Sequence, residues 1–152
     1  MYQGTGTHTI LTKQLASCIL QLSEELGGER EMMGKVIANF YCQASGKSAA
    51  EDFICSLDAR SRRKFYFVLE LLEDMGRHLP EPYSKYIGNE IFELRFSGVE
   101  GAVRVLYFFF HQDMVILTNG FLKKTDKTPE NEKTIAVSRR KDFLEKNGKR
   151  NI

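Results

Sequence analysis

Two arginines placed inside strand-like segments, Arg95 and Arg104, and a lysine run at Lys123, Lys124 and Lys127 are the residues with which this sequence could do chemistry. In Ile91 to Phe96, Phe92, Leu94 and Phe96 alternate with Glu93 and Arg95, the pattern of a strand with one face buried. Arg104 interrupts the nearly apolar run Val103 to Phe110, expected as a central strand. Alternation lets both arginines project from one sheet face beside the Lys123-Lys124 loop. A planar guanidinium grips two phosphate oxygens at once, and a lysine adds a mobile point charge, so the set suits an anion such as a phosphodiester. The competing readings are ordinary ones. Arg104 could snorkel to pair with Glu93, Glu93 could pair with Arg95 or Lys85 on the sheet surface or serve as a base, and the lysines could be a solvated turn.

Charge supports an anionic partner. The net value of +2 conceals a distribution in which residues 1–32 sum to −2, while residues 121–152 hold ten bases, Arg139 and Arg140 among them, against five acids. A basic end on a folded domain fits a polyanion. Cys18, Cys42 and Cys55 are odd in number and lack metal-ligand spacing, and His8, His78 and His111 are scattered. Reduced thiols, a cytoplasmic setting and no metal or cofactor are therefore expected. The N-terminus lacks the pattern of a signal peptide, and the longest apolar runs fall short of the roughly 18 residues of a membrane span.

The elements that must position these residues fit in one domain of a 152-residue chain. Leu11, Leu15, Cys18, Leu22 and Leu26 form a helical stripe stopped by Gly27-Gly28, a helical extension over residues 1–32. Met32 or Met33 is a possible alternative start that would make the extension dispensable; the rival is an amphipathic helix laid on the domain. The domain itself, residues 33–152, opens with a strand at residues 36–42. Ser48 and Glu51 form a capping box for a helix to about Leu57, and a second helix buries Phe65, Val68, Leu69 and Leu72 and stops at Gly76. Residues 80–82 read as a connector that Tyr83 and Tyr86 pack onto the sheet, with stacking on RNA bases as their alternative role. Strands at 91–96, 103–110 and 114–118 follow, with a turn at 111–113. Thr128 then reads as the N-cap, ahead of Pro129, of a helix to about Lys146. The fold class is α+β, in the order βααβββα, with a small, mostly antiparallel sheet. Within Phe108-Phe109-Phe110, core packing is expected ahead of base stacking.

Leu79-Pro80-x-Pro82-x-x-Lys85, Phe92-Glu93-Leu94-Arg95, Val103-Arg104-Val105-Leu106-Tyr107 and Gly120-Phe121-Leu122-Lys123-Lys124-Thr125-Asp126-Lys127-Thr128-Pro129 occur in this order. Together they resemble the RelE/HigB superfamily of type II toxins, and most closely the HigB-like branch that includes phage-borne relatives. The resemblance, over about residues 34–146, implies a RelE-like fold and a toxin that cleaves mRNA in the ribosomal A site. There the RNA's own 2′-hydroxyl attacks the adjacent phosphate without metal and leaves a 2′,3′-cyclic phosphate. It implies a cognate antitoxin, a small helical or helix-turn-helix protein, whose complex with the toxin binds operator DNA. Arg104 matches the phosphate-clamping arginine of the superfamily's central strand, and Lys123 or Lys124 its basic loop residue. The catalytic set expected is Arg95, Arg104, Lys123 and Lys124, with Lys85, Lys127, Arg139 and Arg140 holding RNA. The chain departs from better-known members in having no tyrosine after Tyr107 and only His111 beyond it, which leaves the proton-transfer partner open. The alternative function is a catalytically silent nucleic-acid- or antitoxin-binding relative of phage origin.

Overall fold

A computed structural model describes residues 35–148. The helical extension expected over residues 1–32, Met32 and Met33, and the last four residues of the basic end lie outside the described residues. The elements are β1 (Ile37–Phe40), α1 (Ala49–Ser56), α2 (Ala59–Met75) with a 3-10 turn at Gly76–His78, β2 (Ser84–Gly88), β3 (Ile91–Gly98), β4 (Gly101–Phe110), β5 (Met114–Leu122) and α3 (Glu130–Asn147). They build one open five-stranded sheet in the order β1-β5-β4-β3-β2. Only the β1–β5 pairing is parallel. This is the α+β class expected, consistent with a RelE-like fold.

The order differs from βααβββα by one strand, β2. The sequence reads residues 80–82 as a connector on Pro80 and Pro82; in the structure Lys85 and Tyr86 are both exposed, so Ser84–Gly88 carries no alternation that marks a strand. An edge strand needs only one hydrogen-bonded side, so neither prolines nor consecutive exposed residues exclude it. Tyr86 lies with its ring centroid 5.1 Å from that of Phe92.

Both faces of the sheet are covered. On one, Ile54 of α1 and Phe65, Val68 and Leu72 of α2 pack against Leu94, Phe96, Val103, Val105, Tyr107, Val115 and Leu117. On the other, Ala136, Val137 and Phe143 of α3 meet Ile91, Leu106, Phe108, Ile116 and Phe121. Each fully buried large apolar side chain contributes roughly 1.5–3 kcal/mol, so the face under α1 and α2, whose cluster buries more than twice as many of the described residues, is the larger source of stability. Phe108 and Phe110 stack edge-on against Phe143 at 5.6 and 4.9 Å, which makes them core residues. The tight β3–β4 hairpin that sets the arginines opposite each other is tied to the start of α2. Glu100 accepts from the Asp58 N–H at 2.6 Å and the Ser61 hydroxyl at 2.5 Å, and Ser61 Oγ accepts from Val99 N–H at 2.8 Å.

A β-bulge in β5 decides which residues face α3. Leu106 pairs with Asn119 but Tyr107 pairs with Leu117, so Thr118 is the extra residue. Before it, Met114 and Ile116 face α3; after it, Asn119 and Phe121 do. The same shift turns Gly120 toward α1, where an added Cβ would stand 2.3 Å from Phe53 Cδ1. Glycine is required there by the close approach of helix and strand. Gly120→Ala is expected to cost about 1–3 kcal/mol through overpacking. Urea denaturation should show a lower midpoint, and the double variant with Phe53→Leu should recover much of the loss. An unchanged midpoint would contradict this packing.

Candidate anion-binding site

Arg95 and Arg104 are register partners on the antiparallel strands β3 and β4, so their side chains leave the same sheet face, the face α3 covers. Glu93 shares that face two residues before Arg95. Its Oε1 lies 2.9 Å from Arg95 Nε and 3.1 Å from Arg104 Nε. The first contact is a hydrogen bond; the second is an ion pair off the line of one. Glu93 Oε2 accepts a hydrogen bond from the Thr128 hydroxyl. The carboxylate is 0% exposed, whereas the arginine side chains keep 19% and 15% of their surface in solvent. One Arg104 Nη1 proton goes to the Val103 carbonyl at 2.9 Å.

Electrostatics follow from this geometry. Burial by itself raises the pKa of Glu93, but the Thr128 hydrogen bond, the hydrogen bond and charge of Arg95 and the charge of Lys123 outweigh it and hold the carboxyl below its ordinary value. Burial, joined by the like charge of Arg95, draws Arg104 below the usual arginine value against the pull of Glu93. Two guanidiniums and one carboxylate thus leave the cluster with net positive charge, with Lys123 beside it.

The expected site residues divide by position. Arg95, Arg104 and Lys123 come together. Lys123 N–H bonds to the Ala102 carbonyl at 2.8 Å, which continues the post-bulge phase and places Lys123 on the face of Phe121 and Arg104. Lys124 and Lys127 are exposed in the following loop. Lys85 is exposed on β2, in register with Glu93. Arg139 and Arg140 lie half-buried along α3 against the sheet. Arg139 donates to the Thr118 carbonyl at 2.8 Å and sits 5.9 Å from the Tyr41 ring, and Arg140 lies 5.9 Å from the Phe108 ring.

Thr128 differs from its expected role. Pro129 is the N-cap of α3 and, as a proline, has no side-chain acceptor to cap with, while the hydroxyl of Thr128, the expected cap, bonds to Glu93 instead. Glu93 is a buried bridge between two arginines, where a surface pair with Arg95 or Lys85 was expected. The signal available in the sequence was the polar triplet Glu93, Arg95 and Arg104 on one face; what it lacked was the helix that covers that face. Asn119 and Glu132 were missed altogether. Asn119 Nδ2 donates to Glu132 Oε2 at 2.8 Å and to the Glu132 carbonyl at 3.2 Å, fixing the first turn of α3 on the sheet beside the cluster.

Among the described residues, Tyr107, Tyr41 and His111 lie apart from the cluster. Tyr107 is on the opposite face, bonded to Ser84 at 2.5 Å, and burial pushes it up to about 12. Tyr41 is likewise raised to about 12, by burial and then by its bond to Asp142. His111 stands at the β4–β5 turn, about 23 Å from Arg104 along an extended strand. Tyr83 is the described tyrosine whose backbone meets the cluster, its carbonyl accepting the Arg95 N–H at 2.8 Å. Among the described residues, no three His, Cys, Asp or Glu side chains converge as metal ligands, and no helix is long and apolar enough to cross a membrane.

Because Glu93 titrates below its ordinary 4.5 in the folded state, its ion pairs contribute stability above that pH, and the contribution is lost as pH falls through the lower folded value. Glu93→Gln, which leaves two arginines with no buried counter-charge, should destabilise by about 3 kcal/mol at pH 7. Unfolding free energies measured from pH 7 to pH 3 should converge for the two proteins toward the acid end. Parallel curves would show that the carboxylate is not held ionised.

A family model described as phage derived protein Gp49-like (DUF891) matches residues 52–141, from α1 into α3, and so takes in Glu93, Arg95, Arg104, Lys123 and Thr128. No curated protein matches the chain.

Proposed function

The chain belongs to the phage-derived Gp49-like family, which is related to toxins of the RelE/HigB type, and from that premise we propose that it is a metal-free, ribosome-dependent mRNA endoribonuclease. The observation that supports this reading best is the pair Arg95 and Arg104, in register on one face with Lys123 beside them. Attack of a 2′-hydroxyl on the adjacent phosphate gathers negative charge on the phosphorane oxygens. Fixed cations in a partly dry site stabilise that charge more than they stabilise the ground state. Arg104 and Arg95 would grip those oxygens, Lys123 would add charge from the loop, and Lys124, Lys127 and Lys85 would hold the flanking RNA. Arg139 and Arg140, retained in the proposal as RNA contacts, would act from the half-buried side of α3. The partners proposed are translating ribosomes with their mRNA, a cognate antitoxin of small helical or helix-turn-helix type, and operator DNA through the toxin–antitoxin complex, all in the cytoplasm.

A second reading, a catalytically silent relative that binds nucleic acid or antitoxin, is favoured by one observation. Both oxygens of Glu93 are already engaged, and His111, Tyr41 and Tyr107 stand away from the arginines. Reporter mRNA on translating ribosomes separates the two. Cleavage that falls about 10²–10³-fold in Arg104→Ala, the loss usual for removing one group that stabilises an oxyanion, supports the enzyme. Expression without antitoxin should arrest growth, and Arg104→Ala should relieve the arrest while remaining folded. Normal growth with soluble wild-type protein fully induced would falsify the toxin.

Phosphate contact by Lys123 has its own readout. Affinity for single-stranded RNA should fall with salt at a slope of about −0.7 per contacted phosphate. Lys123→Ala should make the slope shallower by about one contact. A slope unchanged in Lys123→Ala would deny Lys123 a phosphate contact.

A further inference from the structure

We propose that Glu93 is the positioning residue of this site, an ionised buried carboxylate that holds Arg95 and Arg104 side by side through their Nε atoms and turns their remaining N–H groups toward a phosphate. The inference rests on reading the cluster as a phosphodiester site and assigns a role within it.

Register creates the need. Arg95 and Arg104 face each other directly across β3 and β4, and like charges so placed are destabilising. Glu93 Oε1 stands between the two Nε atoms, at 2.9 and 3.1 Å. A guanidinium has five N–H donors in a rigid fork, so fixing Nε fixes the direction of the rest. With one Arg104 Nη1 bonded to Val103, Arg104 Nη2 and both Nη atoms of Arg95 have no described protein acceptor and remain for a ligand.

The same geometry argues against Glu93 as the base. A general base works best with a pKa near the working pH and with an oxygen in reach of the proton it takes. Glu93 is held ionised below its ordinary value, is fully buried, and gives Oε1 to the arginines and Oε2 to Thr128. Thr128 belongs to the loop that also carries Lys123, Lys124 and Lys127. Its hydroxyl therefore joins this loop to the clamp, so that sheet arginines and loop lysines share one anchor.

The test uses the full chain and the variants Glu93→Gln, Glu93→Asp and Thr128→Val. Arginine side-chain NMR reads the clamp directly. The Nε–H signal of Arg95 should be protected from exchange in the wild type, lose protection in Glu93→Gln and recover part of it in Glu93→Asp, and the Arg104 Nε resonance, set by its ion pair with the same oxygen, should shift in Glu93→Gln. In the ribosome cleavage assay, Glu93→Gln should lose kcat by up to about 10²-fold, the usual consequence of small misplacement, with KM changed little. The shape of its pH–rate profile between pH 5 and 8 should persist. Thr128→Val should show a smaller kcat loss with the Arg95 Nε–H signal still protected. Unchanged Nε–H protection in folded Glu93→Gln would overturn the clamp, as would an acidic limb of the rate profile that disappears with Glu93. The NMR measurement needs no turnover. A wild type that cleaves nothing would sink the reaction, while loss of protection in Glu93→Gln would still establish the clamp.

Discussion

Two guanidiniums set opposite each other on neighbouring antiparallel strands repel, and their positions on the face beneath α3 are tenable only because a carboxylate lies between them. Burying that carboxylate costs several kcal/mol of lost hydration, which returns only when every lone pair is well partnered. Arg95 and Arg104 take one oxygen of Glu93 and Thr128 takes the other. The demand spreads outward. Thr128 must be brought to the sheet, so the chain between β5 and α3 cannot hang free, and α3 begins without a side-chain cap.

The covering helix is anchored in keeping with this. Its apolar contribution is small, essentially Ala136, Val137 and Phe143, and polar contacts supply much of the remainder. Asn119 binds Glu132 at its start, Arg139 binds the bulge carbonyl of Thr118 in its middle, and Asp142 receives the Tyr41 hydroxyl near its end. Such bonds add about 1 kcal/mol each when satisfied and cost more when broken, which fixes the helix's axial position more sharply than apolar packing would. Arg139 and Arg140 lie against the sheet, while the exposed lysines of the loop after β5 and of β2 are Lys124, Lys127 and Lys85.

Membership of the Gp49-like family covers α1 into α3, and thus the Glu93 bridge and the arginines together. The geometry is that of a partly dry cluster with net positive charge, in which Arg104 Nη2 and both Nη atoms of Arg95 have no described protein acceptor. We propose it as a toxin's cleavage site, a reading supported by the family's relation to RelE-type proteins.

The sequence by itself determined what depends on local pattern. Alternation in Ile91 to Phe96 put Glu93 and Arg95 on one side, and the apolar run around Arg104 made β4 central; these two facts allowed both arginines one face, and the hairpin register that pairs Arg95 with Arg104 decided it. The stripe Phe65, Val68, Leu69 and Leu72 with its stop at Gly76 likewise specified α2. Tertiary structure decided what depends on neighbours distant in the chain. β2 exists because β3 offers it an edge, a condition no property of Ser84–Gly88 announces. Lys123, and not Lys124, joins the arginines because the bulge at Thr118 shifts the period of β5 by one residue, and a count of alternation from Met114 gives the other lysine. Thr128 bonds to Glu93 in place of capping α3, and Glu93 is an ionised bridge instead of a surface charge, because a helix that begins 37 residues later in the chain covers it. A side chain's face is set by its own strand, but its burial and charge are set by whatever lies on that face.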